Sequence, residues 1–112
     1  MIDHIRPAQL ADWIAAHAGD RPLVLDVREP WELQAASVTP RGFELAAIPM
    51  GELAARLSEL DPARPVACLC HHGVRSLHVA GFLAHQGFDR VANITGGIDA
   101  WSHECDPAVP RY

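Results

Sequence analysis

The first apolar pattern along the chain is typical of an amphipathic helix. Four residues follow one another at the three- and four-residue spacing of one helix face: Leu10, Trp13, Ile14 and His17. Pro7 is well placed to open this helix and Gly19 to close it. The pattern therefore predicts a helix between residues 7 and 19.

Four short apolar runs further along the chain are typical of buried strands. They cover residues 23–27, 43–48, 66–70 and 91–94. Two of them end in polar residues, since Asp26 lies near the end of the first run and Cys70 ends the third. Ligands of parallel sheets bind beyond the carboxyl ends of the strands, so both residues are expected at the edge of the sheet that carries the site.

Helical segments are predicted between and after these runs. They cover residues 31–36, the stretch marked by Leu53, Leu57 and Leu60, residues 74–85 and residues 98–103. Strands that alternate with such helices predict right-handed crossovers and a mostly parallel sheet covered on both faces, which is an α/β fold. An irregular stretch is expected around residues 39–42. No linker or internal repeat divides the chain, so residues 1–112 are predicted to form one domain.

Composition narrows the classes of function. The chain has 112 residues, of which nine are basic, all of them arginine, and 14 are acidic, so its formal net charge is -5. Such a chain is a poor candidate for sequence-independent nucleic-acid binding, which needs clustered cations. No apolar run approaches the ~20 residues of a membrane span, and the N-terminus lacks the apolar core of a signal peptide. Three cysteines without the spacing of a disulfide framework fit the reducing cytosol, so a cytoplasmic location is expected.

The segment from Cys70 to Ser76 carries the strongest candidate chemistry. It reads Cys70-His71-His72-Gly73-Val74-Arg75-Ser76, between a predicted strand and a predicted helix. Gly73 lets the loop curl, and the free N–H groups of the loop and of the helix start can then converge on an anion above the sulfur. The helix dipole and Arg75 favour the thiolate form of Cys70. The segment therefore predicts a reactive thiolate in an anion-binding pocket rather than a cysteine that only fills the core.

The other two cysteines have different interpretations. Cys68 lies on the same side of the strand as Cys70 and deeper in the sheet, so it is interpreted as structural, or as a thiol that shields Cys70 or pairs with it. Cys105 stands between Glu104 and Asp106, whose charges disfavour a thiolate, so it is expected to be non-catalytic. A zinc site at the Cys68–His72 stretch lacks a second ligand cluster at the usual spacing, so no metal is predicted.

Three motifs, in order along the chain, resemble those of the rhodanese family of sulfurtransferases. The segment from Cys70 to Ser76 is similar to the active-site loop C-x-x-G-x-R-[S/T] of that family. Leu25-Asp26-Val27-Arg28-Glu29-Pro30-Trp31-Glu32 resembles L-D-V-R-x-x-x-E, and Ile94-Thr95-Gly96-Gly97-Ile98-Asp99-Ala100-Trp101 resembles the closing motif N-L-x-G-G-x-x-A-W. The likeness covers residues 2–112. It departs from the family over residues 36–42, where many members carry G-H-I-P-G-A.

The resemblance implies a rhodanese-like fold, with a central, mostly parallel five-stranded sheet and helices on both faces, and a single-domain thiosulfate sulfurtransferase. Cys70 would take a sulfane sulfur from thiosulfate or a persulfide donor and pass it to a thiophilic acceptor such as cyanide or a thiol. The loop residues would bind the substrate: His71, His72, Gly73, Val74 and Arg75. Asp26 and Ser76 would support the pocket from behind. The implied partners are a small-molecule sulfur donor and a small-molecule or protein acceptor. The resemblance implies no cofactor and no binding to nucleic acid or to a membrane.

The sequence leaves the roles of several of these residues open. His71 and His72 either bind the sulfonate end of thiosulfate, when protonated, or point to solvent. Asp26 either supports the pocket, by a hydrogen bond to loop amides or by pairing with an arginine, or only caps the turn that follows its strand. Arg28 is expected to form a structural ion pair rather than to touch substrate, and Glu32, four residues further on, is the suggested partner.

Two other functions compete with the enzyme hypothesis. A phosphatase of the related type has five residues between its cysteine and its arginine, whereas four separate Cys70 from Arg75, and the shorter loop suits a single sulfur atom better than a phosphate. The second hypothesis is a sulfur-relay or binding module that serves a protein partner and turns over thiosulfate only incidentally.

Overall fold

A five-stranded parallel sheet forms the centre of the protein in a computed structural model, which describes residues 2–40 and 42–112. The strands are β1 (Ile2–Ile5), β2 (Leu23–Asp26), β3 (Glu44–Ala47), β4 (Val66–Leu69) and β5 (Val91–Ile94). Their order across the sheet is β1-β5-β4-β2-β3, and every neighbouring pair is parallel. The predicted α/β fold and parallel sheet are confirmed.

Four α-helices in the described residues accompany the sheet. They are α1 (Leu10–Ala16), α2 (Pro30–Ala35), α3 (Val74–His85) and α4 (Gly97–Glu104). Each corresponds to a helical segment predicted from the sequence. Short 3-10 turns lie at Pro7–Gln9, Ala18–Asp20, Met50–Glu52 and Leu57–Glu59. None of the helices in the described residues is long and apolar enough to cross a membrane.

The helix predicted along Leu53, Leu57 and Leu60 is wrong. A 3-10 turn at Leu57–Glu59 lies in this stretch, and a second one at Met50–Glu52 ends just before it. The bonds of the Leu57–Glu59 turn run from the Glu59 amide to the carbonyl of Arg56 and from the Leu60 amide to that of Leu57. A 3-10 turn also brings every third residue to one face, so leucine spacing cannot distinguish it from an α-helix. Leu53 and Leu60 are buried against the core, as the spacing predicts.

The first strand, β1, is absent from the sequence prediction, which located only four strands. Its middle residues, Asp3 and His4, are polar and exposed. Because β1 is an edge strand that pairs with β5 alone, it needs no continuous apolar run. Arg41, in the predicted irregular stretch, lies outside the described residues, and the strand that follows this stretch is shorter than predicted.

Separate apolar clusters cover the two faces of the sheet. Cys68 and Cys70 belong to the cluster on the α3 side, whereas Ala67 and Leu69 belong to the cluster on the α4 side. This alternation follows from the two-residue period of a strand. Asp26 lies opposite Leu69 in the register of β2 and β4, so Asp26 and Cys70 leave the sheet at the same edge, as predicted.

Candidate active site

The sulfur of Cys70 lies beneath a tight loop that joins β4 to α3. Cys70 is 1% exposed, and the N–H of Gly73 donates a hydrogen bond to its Sγ at 3.0 Å. Gly73 has a φ of +101°, and a Cβ atom added there would come within 3.0 Å of the Gly96 nitrogen. Glycine is therefore needed both for the turn and for the close approach of the two backbones. The N–H groups in the first turn of α3 have no acceptor within that helix.

A buried polar network lies behind the sulfur. Cys70 Sγ is 3.3 Å from the Ser76 hydroxyl, which donates a hydrogen bond to Asn93 Oδ1 at 2.5 Å. The Asn93 Nδ2 group donates to the carbonyl of Gly73 at 3.1 Å. Ser76 was predicted to support the pocket and touches the sulfur, whereas the sequence prediction missed Asn93. Its one signal was a polar residue inside an apolar strand run.

The start of α4 holds the same loop from the other side. The N–H groups of Ile98 and Asp99 donate to the carbonyls of Cys70 and His71, at 2.9 and 3.1 Å. Gly97 precedes them with a φ of +59°, and a Cβ atom there would lie 2.4 Å from both carbonyl oxygens. The loop is therefore fixed at its floor by Asn93 and at its flank by α4.

Arg75 forms a forked ion pair with Glu32. Its Nη1 and Nη2 groups donate to Glu32 Oε1 and Oε2 at 2.5 and 2.8 Å. Glu32 is buried, and the hydroxyl of Tyr112 donates to its Oε2 at 2.7 Å. The bonds from Arg75, with those from Tyr112 and the Glu29 amide, outweigh burial and hold the pKa of Glu32 down, at about 2. Arg75 therefore has a compensated charge, and the guanidinium retains further N–H donors that this pair does not use.

Arg28 has a different partner from the one predicted. The expected ion pair with Glu32 is wrong, because Arg28 donates to the Asp26 carboxylate through Nε at 2.9 Å and Nη2 at 2.7 Å. Its Nη1 reaches the backbone carbonyl of Glu32, at 3.2 Å, and the hydroxyl of Tyr112, at 3.0 Å. The structure shows Asp26 both paired with an arginine and capping the next turn, since its Oδ1 also accepts a hydrogen bond from the N–H of Arg28 at 3.2 Å. Both side chains are buried, so the forked geometry compensates two charges removed from water.

The family of this chain follows from a comparison with known sequences. The sequence profile of the rhodanese-like domain matches residues 7–104. This range includes the loop, Asn93 and both ion pairs of the site, whereas Tyr112 lies beyond it. The chain belongs to the rhodanese-like domain family.

Three curated relatives have related names. A rhodanese-like/PpiC domain-containing protein 12, chloroplastic, of Arabidopsis thaliana is 42% identical over 95 residues, which are 83% of this chain and 31% of that protein. A thiosulfate sulfurtransferase GlpE of Actinobacillus pleuropneumoniae is 45% identical over 56 residues, 50% of this chain and 52% of the relative. A sulfurtransferase of Allochromatium vinosum is 37% identical over 87 residues, 78% of each chain. The rhodanese-like domain thus spans less than two thirds of the length of the first two relatives.

A solved structure supports the same family. The rhodanese-related protein from Thermoplasma volcanium superimposes with a TM-score of 0.75 at 33% identity, over 98% of this chain and 99% of that one. The five-stranded sheet that the resemblance implied is therefore confirmed as the rhodanese-like arrangement.

The two histidines of the loop differ in their environment in this rhodanese-like domain. The ring of His71 is stacked between those of His72 and Tyr112, with centroids 3.9 Å away on both sides. Burial, with the nearby His72, lowers the pKa of His71, which favours the neutral form of this ring. His71 therefore does not point freely to solvent, whereas His72 is exposed. Val74 is also exposed, at the first position of α3.

One group of side chains at this edge has the composition of a metal site. His71, His72 and Asp99 place potential ligand atoms within 4.8 Å of one another. A metal would have to draw Asp99 away from Arg111, which donates to its carboxylate at 3.0 Å. It would also have to separate the two imidazole rings, which are stacked at 20°. The residues present are thus of the right type but are held by other partners.

The remaining cysteines lie in environments that disfavour a thiolate. Burial, with Cys70 nearby, raises the pKa of Cys68 far above its usual value. Burial and the charges of Glu104 and Asp106 raise the pKa of Cys105, the direction expected from the sequence. Both raised pKa values agree with the prediction that these cysteines are not the nucleophile.

A cavity of about 480 Å³ lies elsewhere. Its lining includes residues of α1 together with Phe43 and Trp101. None of its described lining residues belongs to the loop of residues 70–76, so it is separate from the candidate site.

Glu32 gives a testable pH dependence of stability. Its pKa of about 2 in the folded protein lies below the ordinary value of 4.5, so its stabilising contribution is complete above pH 4.5 and is lost as the pH falls towards 2. We expect the difference in unfolding free energy between wild type and Glu32→Gln to be constant above this window and to shrink within it. Urea unfolding at a series of pH values measures it. A difference that stays constant down to pH 2 contradicts the assignment.

Proposed function

We propose that this rhodanese-like domain is a sulfurtransferase that moves a sulfane sulfur from thiosulfate or a persulfide donor to a thiophilic acceptor through a persulfide on Cys70. The observation that carries the proposal is the loop geometry, in which a backbone N–H of the loop is directed at the sulfur and the helix start lies directly behind it. The names of the sulfurtransferase relatives support it.

The proposed reaction has two displacement steps. The Cys70 thiolate attacks the outer sulfur of thiosulfate, forming a Cys70 S–S bond, while the S–S bond of thiosulfate breaks and sulfite leaves with the electron pair. A cyanide ion or an acceptor thiolate then attacks the outer sulfur of the persulfide, and Cys70 leaves as a thiolate. Both steps conserve electrons, so neither needs an external oxidant or a cofactor. Such double displacement predicts ping-pong kinetics.

The loop would stabilise the negative charge on the outer sulfur. The N–H of Gly73 already points at Cys70 Sγ, and the other N–H groups from His71 to Arg75 would join it around a bound outer sulfur, with the positive end of α3 adding to their effect. The side chain of Arg75 would contribute through the N–H groups that Glu32 leaves free. His72, which is exposed, is the better candidate of the two histidines to meet the sulfonate end of a donor.

The surroundings of the reaction belong to the same proposal. The proposed chemistry needs Cys70 as a free thiol, and free thiols persist in a reducing compartment such as the cytosol, which is the location we propose. The partners are a small-molecule donor and acceptor, and neither a nucleic acid nor a membrane is proposed. A protein acceptor stays a prediction, and the kinetics described below distinguish it.

Mass spectrometry of the intact protein tests the proposal. After treatment with thiosulfate, we expect wild type to gain the mass of one sulfur atom, which cyanide removes with the release of thiocyanate. Cys105→Ser, the matched cysteine control, should gain the same mass, whereas Cys70→Ser should gain none. An adduct on Cys70→Ser would exclude Cys70 as the nucleophile, and the absence of any adduct on wild type would overturn the proposed chemistry.

Steady-state rates separate the small-molecule enzyme from a sulfur-relay module. An enzyme that serves small acceptors should turn over thiosulfate with cyanide or simple thiols at a saturable rate. A full Cys70 adduct that small thiols barely discharge would instead favour transfer to a protein partner.

A further inference from the structure

The hydroxyl of Ser76 lies between two groups that compete for its single hydrogen. One is Cys70 Sγ at 3.3 Å, and the other is Asn93 Oδ1 at 2.5 Å. All three residues are buried, at 0–3% exposure, so water does not readily replace either contact. Which group receives the hydrogen therefore affects the charge state of the sulfur.

The carbonyl of Gly73 decides the orientation of the Asn93 amide. A backbone carbonyl only accepts hydrogen bonds, so the Asn93 group 3.1 Å from it is the NH₂ donor. The amide oxygen must then face Ser76, and the Ser76 hydrogen is used in the bond to it. Ser76 can offer only a lone pair to Cys70, which suits an S–H donor. The network is thus complete when Cys70 is a thiol.

Loss of the Cys70 proton changes this balance. A lone pair of Ser76 would then face a negative sulfur, which is unfavourable. Rotation about the Cβ–Oγ bond of Ser76 moves the hydrogen from Asn93 to Sγ without moving any heavy atom, and a hydrogen bond to a charged acceptor is stronger than one to a neutral acceptor. The rotation leaves Asn93 Oδ1 buried without that partner, which is costly.

We propose that the Ser76 hydroxyl donates its hydrogen to Asn93 Oδ1 when Cys70 is a thiol and to Cys70 Sγ when Cys70 is a thiolate. Asn93 is then a positioning residue that opposes thiolate formation at Cys70, because it competes for the Ser76 hydrogen. The inference rests on the proposed function, in which the Cys70 thiolate is the nucleophile. It assigns to Asn93 a control of the reactivity of the site that is additional to its bond to the loop.

Other charged and titratable groups also act on Cys70. Cys68 faces it from β4, and Arg75 from the first turn of α3, with its charge compensated by Glu32. His71 and His72 follow it in the loop, and burial lowers the pKa of His71. None of these groups exchanges a hydrogen bond with Ser76 or Asn93 among the described residues, so substitutions at those two positions test the network separately.

The test measures thiolate absorbance in the ultraviolet as a function of pH, with Cys70→Ala as the blank. Asn93→Val frees the Ser76 hydrogen for the sulfur, and we expect the thiolate profile to move to lower pH by about one unit. One unit corresponds to about 1.4 kcal/mol, the net size of one hydrogen bond. In the Ser76→Ala background the same Asn93→Val change should move the thiolate profile little, because the hydroxyl hydrogen for which Asn93 and Cys70 compete is absent.

The double-mutant comparison separates this inference from a purely structural role of Asn93. If Asn93 acts only through the Gly73 carbonyl, Asn93→Val will shift the profile equally in both backgrounds, and the inference is overturned. Ser76→Thr keeps a hydroxyl and should retain the wild-type profile. Asn93→Ala is the second variant, with the same two expected results, for the case in which valine does not fit the strand.

The readout does not depend on sulfur transfer. A coupled shift in the thiolate profile without any thiosulfate adduct would overturn the proposed function and leave the hydrogen-bond assignment in place. A normal adduct with no coupling between positions 76 and 93 would overturn the assignment and leave the proposed function in place.

Discussion

Gly97→Ala is expected to destabilise the protein by several kcal/mol and to prevent persulfide formation at Cys70. The φ of +59° alone costs a residue with a Cβ atom about 1–3 kcal/mol. The added Cβ would also lie 2.4 Å from the carbonyl oxygens of Cys70 and His71, which are backbone atoms that cannot move aside cheaply. Relief of this clash would displace α4 from the loop, and with it the bonds from Ile98 and Asp99.

Urea unfolding and the thiosulfate adduct measure the two effects separately. Gly81→Ala is the matched control, since Gly81 lies inside α3 and an added Cβ meets only a side-chain atom of Ile2 at 4.0 Å. This control should be neutral or more stable by about 0.5–1 kcal/mol, because alanine favours a helix over glycine. Equal stability of Gly97→Ala and the control would contradict the role given to the start of α4.

Arg28→Met is expected to lower the unfolding free energy by about 3–5 kcal/mol, the usual cost of leaving a buried charge without its partner. Asp26 and Arg28 are 2% and 0% exposed, and Arg28 also bonds the carbonyl of Glu32 and the hydroxyl of Tyr112. The loss therefore affects both buried carboxylates near the loop. Urea unfolding at neutral pH measures it.

A second substitution identifies the unpaired charge as the cause. Adding Asp26→Asn to Arg28→Met removes the orphaned carboxylate, so the double variant should be more stable than Arg28→Met alone. Arg56→Met is the surface control, because Arg56 pairs with Glu52 and Glu59 in solvent, and its urea midpoint should change little. A double variant less stable than Arg28→Met would show that packing, rather than charge, dominates at this position.

These expectations share a structural basis. Separate parts of the chain hold the loop around Cys70: Asn93 from β5, the amides of α4, and the Arg75–Glu32 pair that Tyr112 and Arg28 support. A loop fixed in this way keeps its N–H donors in place before a substrate arrives, which is the condition for electrostatic stabilisation of a charged group.

The sequence predicted well those features that depend on neighbouring residues. The strand run that leads to Cys70, the turn at Gly73 and the helix over residues 74–85 follow from local apolar spacing and from the freedom of glycine, and the structure contains all three, with the strand ending one residue early at Leu69. The shared edge of Asp26 and Cys70 also followed, because parallel strands fix which ends meet. Local patterns failed at β1, where an edge strand needs little apolar surface, and at Leu53–Leu60, where two kinds of helix share the spacing.

The partners of the charged residues could not be read from spacing. Arg28 and Glu32 have the separation of a helical ion pair, yet α2 begins only at Pro30, so Arg28 lies outside the helix and turns to Asp26. Tyr112 reaches Glu32 across 80 positions, and nothing in the tail sequence indicates it.

By itself the sequence determined an α/β chain with one thiol at a strand-to-helix loop, because backbone preferences and apolar periods are local properties of the amino-acid order, and its motifs supplied the resemblance to the rhodanese family. Only the tertiary structure decided what surrounds that thiol. Arg75 contacts Glu32, which lies 43 residues away in the sequence, and Ser76 contacts Asn93, which lies 17 residues away. A buried polar atom must find a partner wherever the packed chain provides one, and sequence separation does not limit that choice.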